Sequence, residues 1–388
     1  MTDLGDFIKN SWGKFKDLTS VGTANVAAMV ISSLFWLYMA GLIGEEGYGN
    51  IGYLLATAGI VGNVSMMGSS DTLIVYRAKN IKLQSTIFLI VIIVAIISSL
   101  VTFLFVESKE VSIYIFGYVI FSLILYESLG SKHYRKYSMY FISQRILAVF
   151  LGVILYYTIG LEGIILGYAL SFFPFSISYY KIFKSVPLDF HLVRERSNFM
   201  VNSYARSLMQ SFSGSLDKLI IFPLFGAVLL GNYYLGFQIY TILSILPSIV
   251  FQYVLPEDSS GANHTKLKKL TIIVSIFFAA ISILLAPIIL PIFFPEFSEA
   301  ISIVQIMSIA LIPGSINLMY ISKLLGYEKI KIVIIGQSIG LVSVVAGIYI
   351  LGDIFGIQGT AIAFTLAATT EFIYFFMVSK FSKIDLVK

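Results

Sequence analysis

The 388-residue chain has no cysteine, which excludes a disulfide framework, a thiolate metal site and a cysteine nucleophile. Charge is also scarce: Asp, Glu, Lys and Arg make up 12% of the residues, against roughly 25% in soluble domains. The three histidines, His133, His191 and His264, stand far apart in gaps between apolar stretches. Neither a metal cluster nor a catalytic triad is expected from them. Long polar segments are missing too. The longest gaps, residues 183–198 and 255–269, are linker-sized and leave no room for a soluble domain.

Hydrocarbon fills the rest. Hydrophobic residues make up 58% of the chain, and mean hydropathy is +0.90. About 20 apolar residues at 1.5 Å rise cross a hydrocarbon core about 30 Å thick. On that basis twelve spans are expected, at 19–43, 50–70, 84–106, 111–130, 140–159, 162–182, 199–226, 231–254, 270–294, 300–322, 330–351 and 357–379. Only helices or closed barrels satisfy their backbone in lipid, and unbroken apolar runs such as 84–106 exclude the alternating barrel pattern. The chain reads as an all-α integral membrane protein. The apolar run from Val21 to about Ile43 is too long for a signal-peptide core and is read as a true span.

The basic residues fall into every second gap. The groups are Lys9, Lys14 and Lys16; Arg77, Lys79 and Lys82; Lys132, Arg135, Lys136 and Arg145; Lys181, Lys184, Arg194 and Arg196; Lys266, Lys268 and Lys269; Lys323, Lys329 and Lys331; and Lys380, Lys383 and Lys388. Intervening gaps hold Lys109 and acids including Glu45, Glu46, Glu162, Glu299 and Asp353. Short cytoplasmic loops collect Lys and Arg, so the alternation puts both termini in the cytoplasm of a multi-pass plasma-membrane protein. Sorted this way, the net charge of +5 and pI near 9.0 are topology signals on an anionic leaflet. No nucleic-acid partner is expected, because no basic stripe with stacking aromatics lies outside the spans.

An internal repeat divides the chain. Gly44-Glu45-Glu46-Gly47-Tyr48-Gly49-Asn50 follows the first span, and Gly226-Ala227-Val228-Leu229-Leu230-Gly231-Asn232 follows the seventh. Both keep a Gly-x4-Gly-Asn spacing, as a tight helical hairpin with close helix approach needs. Six spans per half is an even number, so the halves are expected to be parallel repeats about the membrane normal. The expected organisation is an N-terminal six-helix bundle at 1–182, a cytoplasmic linker at 183–198 and a C-terminal six-helix bundle at 199–388.

Gly41-Leu42-Ile43-Gly44-Glu45-Glu46-Gly47-Tyr48-Gly49 resembles the "L-G-x-x-x-Y-G" turn of Wzx-like polysaccharide-biosynthesis flippases, a branch of the multidrug/oligosaccharidyl-lipid/polysaccharide (MOP) exporter superfamily. Leu216-Asp217-Lys218-Leu219-Ile220-Ile221 through Gly226, then Gly231-Asn232-Tyr233, resembles that family's seventh helix and turn. The second turn departs from the pattern with Leu229 and Leu230, where polar residues are usual. The resemblance implies a MATE/MOP-like fold and a non-enzymatic transporter. Its implied cargo is a polyprenyl-linked oligosaccharide, flipped by alternating access, with membrane lipids and glycan-assembly machinery as surroundings. A cation-coupled multidrug exporter is the alternative within the superfamily. A membrane-embedded polymerase or glycosyltransferase would be expected to carry a sizeable outer loop, and the outer gaps here are only turns.

Ionisable residues at membrane depth are costly, so each is a candidate site. In the seventh span Arg206, Gln210 and Asp217 recur at helical spacing along one face, with Asp217 about 16 Å beyond Arg206. Arg206, Gln210, Lys218 and Arg145 are the substrate-binding candidates, and Asp217 and Glu371 are candidates for coupling to H+ or Na+. No other cofactor and no metal is expected. Blander readings stand beside these. Arg206 and Arg145 could anchor to headgroups, Asp217 could pair with a neighbouring helix, and Lys218, next to Asp217, would point elsewhere as a structural partner. Glu371 could be the mate of a basic residue such as Arg145, and Glu127 reads as a solvated interfacial carboxylate. Gly47-Tyr48-Gly49-Asn50-Ile51-Gly52 matches a dinucleotide-binding pattern but follows a helix, so no nucleotide is expected. The topology has a direct check: Cys at Glu45, Glu162 or Glu299 should label from outside the cell, and Cys at His133, Asn263 or Lys383 should not. Outside labelling at position 263 would overturn the span count.

Overall fold

The computed structural model describes the backbone of residues 2–259 and 264–381; Asn263, Lys383 and Lys388 lie outside the described residues. Within them the helices are α1 (Thr2–Ser65), α2 (Ser69–Ala78), α3 (Gln84–Val106), α4 (Lys109–Gly130), α5 (Tyr134–Ile159), α6 (Leu161–Leu170), α7 (Ser176–Phe183), α8 (Phe190–Glu195), α9 (Ser197–Leu243), α10 (Ile245–Ser259), α11 (Thr265–Phe293), α12 (Ala300–Gly326) and α13 (Ile330–Phe381). Nine stretches of helix are long and apolar enough to cross a membrane among the described residues.

Three of the nine are of double length, and each doubles back at a glycine. In α1, Trp36 and Tyr48 have ring centroids 6.3 Å apart, whereas twelve residues of straight helix would separate them by about 18 Å. In α9 the Tyr233 hydroxyl reaches Asp217 at 2.7 Å. In α13, Gly347 packs against Ala363 and Gly336 against Phe375, the register of an antiparallel hairpin. The reversals fall at Gly44, Gly226 and Gly356, all with positive φ, a conformation that costs glycine little. Counting each reversal as two crossings, the chain makes twelve.

Three expected spans are interrupted, each for a local reason. The 50–70 span breaks at Met66–Gly68, where Met67 and Gly68 are left-handed (φ 47° and 71°). The 162–182 span loosens between α6 and α7 at Pro174, and the 231–254 span between α9 and α10 ahead of Pro247. A proline cannot donate to the carbonyl four residues back, and Leu170 and Leu243 are the residues at which α6 and α9 end.

The turns carry the repeat in their backbone angles. Gly44 (φ 68°, ψ 178°) is matched by Gly226 (φ 83°, ψ 178°). Gly160 (φ 77°, ψ −150°) is matched by Gly356 (φ 59°, ψ −137°). The second pair belongs to a further sequence match, Gly160-Leu161-Glu162-Gly163 with Gly356-Ile357-Gln358-Gly359, in the turn between the last two spans of each half.

The chain packs as two compact units. Unit 1 comprises 1–32 and 57–211, and unit 2 comprises 33–56 and 212–388. Two segments therefore belong by sequence to one half and by packing to the other: the first hairpin's turn, 33–56, and the start of α9 up to Ser211. A core of Met66, Leu73, Ile87, Phe88, Val91, Val119 and Leu123 holds unit 1. One of Ile221, Leu230, Tyr233, Ile303, Met307 and Ile348 holds unit 2. Large apolar side chains elsewhere, such as Leu104, Phe105, Leu284 and Ile292, are exposed, as lipid-facing positions would be.

Within unit 2 the two Gly-x4-Gly-Asn turns meet reciprocally. A Cβ on Gly49 would overlap the Ala227 carbonyl, and one on Gly231 would overlap the Glu45 carbonyl. The contact is self-complementary, as expected of a repeated motif packing on its own copy. Asn232 donates to the Glu45 carboxylate at 2.6 Å, Tyr48 lies against Tyr234 at 4.8 Å, and Tyr53 stacks on Phe222 at 4.1 Å. Gly231→Val should therefore cost about 1–3 kcal/mol by overpacking and lower the thermal midpoint in detergent by roughly 1–4 °C. Gly59→Ala, with nothing within 4 Å of its Cβ position, should leave the midpoint unchanged. Equal midpoints for the two variants would refute the close contact.

Candidate functional site

Local structure delivers a carboxylate in unit 1 that sequence reasoning missed. After the break at Met66–Gly68 the helix restarts as α2, and Asp71 sits in its first turn, where the helix dipole favours negative charge. Gly68 allows the start of α9 to lie flush: a Cβ there would meet the Met200 carbonyl and come within 2.6 Å of the Tyr204 nitrogen. Arg206 then reaches Asp71, donating from Nε at 3.0 Å and from Nη2 to Oδ2. The Ser203 hydroxyl lies 3.0 Å from the Gly68 carbonyl and 2.9 Å from the Asp71 carboxylate. Arg206 and Gln210 are both exposed. The signal for Asp71 was present in Gly68-Ser69-Ser70-Asp71, which reads as a helix start, but the expected span ended at residue 70.

Arg145 occupies a different setting. It lies on α5, half-buried, with its guanidinium 5.5 Å from the Phe141 ring centre. Phe141 packs in one cluster with Tyr114 and Tyr118 of α4 and Tyr137 of α5. Tyr118 donates to Asn63 at 3.0 Å, and Tyr137 donates to Asn25 at 3.4 Å. Among the described residues Arg145 forms no ion pair. It lies about 16 Å from the start of its helix.

In unit 2, Lys218 does not point away from Asp217 as its adjacency suggested. The flexible side chain folds back so that Nζ lies 3.1 Å and 3.3 Å from the two carboxylate oxygens. The ammonium also donates to the Gly214 carbonyl at 3.2 Å and lies 3.8 Å from the Phe237 ring centre. Asp217 and Lys218 are 6% and 4% exposed, so Asp217 is closed off where Arg206 and Gln210 are open. Burying one charge alone costs far more than burying the pair, and this contact overrides the helical direction of the side chain. Glu371, on α13, packs against Gly340, within electrostatic reach of Tyr240. Its neighbour Thr370 donates to Ser343 at 3.0 Å. Among the described residues Glu371 has no cationic partner.

Glu127 is likewise not solvated. It is 5% exposed, accepts from Arg77 at 3.2 Å and accepts from Ser131 at 2.6 Å. An analogous cluster in unit 2 joins Lys268 to Asp258 at 2.7 Å, and Ser322 to the same carboxylate at 2.6 Å.

No family model matches the sequence, and no curated protein is similar to it. Solved structures are. A multidrug resistance MATE family transporter of the MOP superfamily, in an inward-facing conformation, superposes with a TM-score of 0.73 at 15% identity, covering 93% of this chain and 95% of that one. The lipid II flippase MurJ, in an inward closed conformation, gives 0.75 at 13% identity, covering 93% and 87%. A MATE in complex with MaD5 gives 0.67 at 14%, covering 96% of both. The fold is that of MATE and MurJ. A multidrug resistance transporter and a lipid II flippase carry different cargoes, so the choice for this chain rests on its own charges.

The buried pair has a clean test. Lys218→Met should destabilise the protein by about 3–5 kcal/mol because it strands Asp217, and adding Asp217→Asn should recover most of that loss. The readout is the monodisperse fraction left after graded heating in detergent; a double variant as unstable as the single one would show that the two charges do not compensate each other.

Proposed function

We propose that the chain is a transporter that moves a polyprenyl-linked oligosaccharide across the plasma membrane, with Arg145 as the contact for its phosphate. The observation that carries this reading is the half-buried Arg145 inside the fifth expected span, without an ion pair among the described residues and lying over Phe141 of an aromatic cluster that includes Tyr114, Tyr118 and Tyr137. An unpaired cation in hydrocarbon is expensive unless it serves a ligand, and guanidinium matches phosphate oxygens through two parallel hydrogen bonds. Arg206 and Gln210, exposed at the end with the basic loops, are assigned to receiving the headgroup. Arg206 is freed for that when Asp71 lets go.

Alternating access supplies the cycle in this reading. The segments 33–56 and 199–211, shared between sequence halves and packing units, are the parts that exchange partners. The reciprocal Gly49 and Gly231 contact, within unit 2, is assigned to the outer side, since the basic residues assign the other side to the cytoplasm. Glu371 is the carboxylate assigned to a coupling H+ or Na+, because Asp217 already has Lys218 as its counter-ion. Glu371 also supports a second reading, a MATE-like exporter of organic cations, which would need such an uncompensated carboxylate.

Flux into vesicles separates the two. Lipid-linked oligosaccharide should be translocated by the wild type, and Arg145→Gln should slow it about 10–100-fold, the loss of one charge-assisted contact of roughly 1.5–3 kcal/mol. Arg145→Lys should retain part of the rate. Ethidium efflux that depends on Glu371, with Arg145→Gln indifferent, would establish the exporter instead.

A further inference from the structure

A cavity of about 660 Å³ opens in unit 2 between the start of α12 and the turn at Gly356 of α13. It lies among the gaps that hold Glu299 and Asp353, which the alternation of basic residues assigns to the outside. Five of its ten lining residues are polar, namely Ser298, Glu299, Ser302, Gln305 and Gln358, and none is basic. Glu299 caps α12, and Ser302 and Gln305 follow at three-residue steps, so the three form one ridge of the helix about 9 Å long. Bonds made within the protein use donors of this ridge. The Ser302 hydroxyl donates to the Glu299 carbonyl at 3.0 Å, and the Gln305 amide donates to the Ile283 carbonyl at 3.0 Å. The ridge is left rich in acceptors, with the exposed Glu299 carboxylate at its head. Phe355, 56% exposed, adds an aromatic ring from α13 beside the exposed amide of Gln358.

We propose that this cavity binds an uncharged saccharide, with the α12 ridge accepting its hydroxyl protons. The lining sorts the classes of ligand. An anion meets a carboxylate and no cation. A hydrocarbon chain would cover five polar side chains and pair with none of them. A divalent metal ion takes six or more oxygens, several of them from carboxylates, and Glu299 is the one acid in the lining. An organic ammonium ion has one positive centre and only donors, so it engages one step of the ridge and leaves the amide donors of Gln358 unanswered. A sugar hydroxyl both donates and accepts, and successive rings run along the whole ridge. The C–H face of a ring is covered by an exposed aromatic such as Phe355. The internal repeat sharpens the choice. Gln358 stands where the matching turn of unit 1 has Glu162, so this turn offers an amide where its counterpart carries a charge. Binding stands on the lining alone. Its tie to transport, as the place where the glycan of a delivered lipid rests, depends on the reading above.

The test is saturation-transfer NMR on the full chain in nanodiscs, titrated in turn with lactose, cellobiose, maltose, N-acetyllactosamine and di-N-acetylchitobiose. At least one should bind with a dissociation constant of about 1–10 mM, and neither inorganic phosphate nor tetraethylammonium should displace it. Gln305→Leu and Gln358→Leu should each weaken binding about five- to tenfold, the loss of one hydrogen bond. Glu299→Gln removes the charge but keeps a carbonyl acceptor, and should retain binding within about fivefold. Unchanged thermal midpoints show that the variants are folded, and the exposed position of Gln358 makes its variant decisive if Gln305→Leu is not. Displacement by tetraethylammonium, with binding lost in Glu299→Gln, would make the cavity a cation site. Saturation transfer to none of the sugars, or transfer untouched by Gln358→Leu, would also overturn the proposal. The free sugars carry no lipid, so the result stands apart from the flux assay. Sugar binding without flux would refute the transport reading alone, and flux without sugar binding would refute this site alone.

Discussion

A charge in hydrocarbon must find an opposite charge, a hydrogen-bonding shell or a ligand, because water is not there to solvate it. A charge buried in protein at the end of a span has a similar need. Arg77 and Glu127, Asp71 and Arg206, Asp217 and Lys218, and Asp258 and Lys268 are all joined by contacts of hydrogen-bond length. Hydroxyls of Ser131, Ser203, Tyr233 and Ser322 fill remaining acceptor positions on the four carboxylates. Once these pairs are set aside, the ionisable groups left at membrane depth without a counter-charge are conspicuous. Arg145 in unit 1 and Glu371 in unit 2 are the two on which the functional reading turns.

A second constraint acts on the backbone. Paired helices that turn sharply in lipid need residues without side chains where they touch. Gly44, Gly160, Gly226 and Gly356 supply the turns, and Gly49 and Gly231 supply the touching surfaces. The repeat and the packing are thus one observation. A motif copied within the chain forms a contact in which each copy meets the other, and it draws residues 33–56 into the unit built mainly from the second half.

A multidrug resistance MATE transporter and a lipid II flippase share this fold, so architecture alone does not choose a cargo. In the reading proposed above, Arg145 favours an anionic cargo and Glu371 a cationic one. Arg145 lies over Phe141, which packs with Tyr114, Tyr118 and Tyr137.

The span count, the all-helical class and the twofold repeat were legible in the sequence, because each rests on a one-dimensional pattern: apolar run length, the alternation of basic gaps and a repeated glycine spacing. The interruptions at Pro174 and Pro247 were marked by residues whose backbone chemistry is local, although only their effect on the helices shows where each span divides. The pairing of charges was not legible. Asp71 was lost at the edge of a span, Glu127 was read as solvated, and Lys218 was read as pointing away from the residue it neutralises. Sequence spacing places a side chain on a helix face, but burial then decides how far a flexible lysine or arginine bends to meet a charge on another segment. The sequence by itself determined which groups must be compensated. Only the tertiary structure decided which partner each one found, because in a low dielectric the energy of a charge is set by what lies within a few ångströms in space, whatever the distance along the chain.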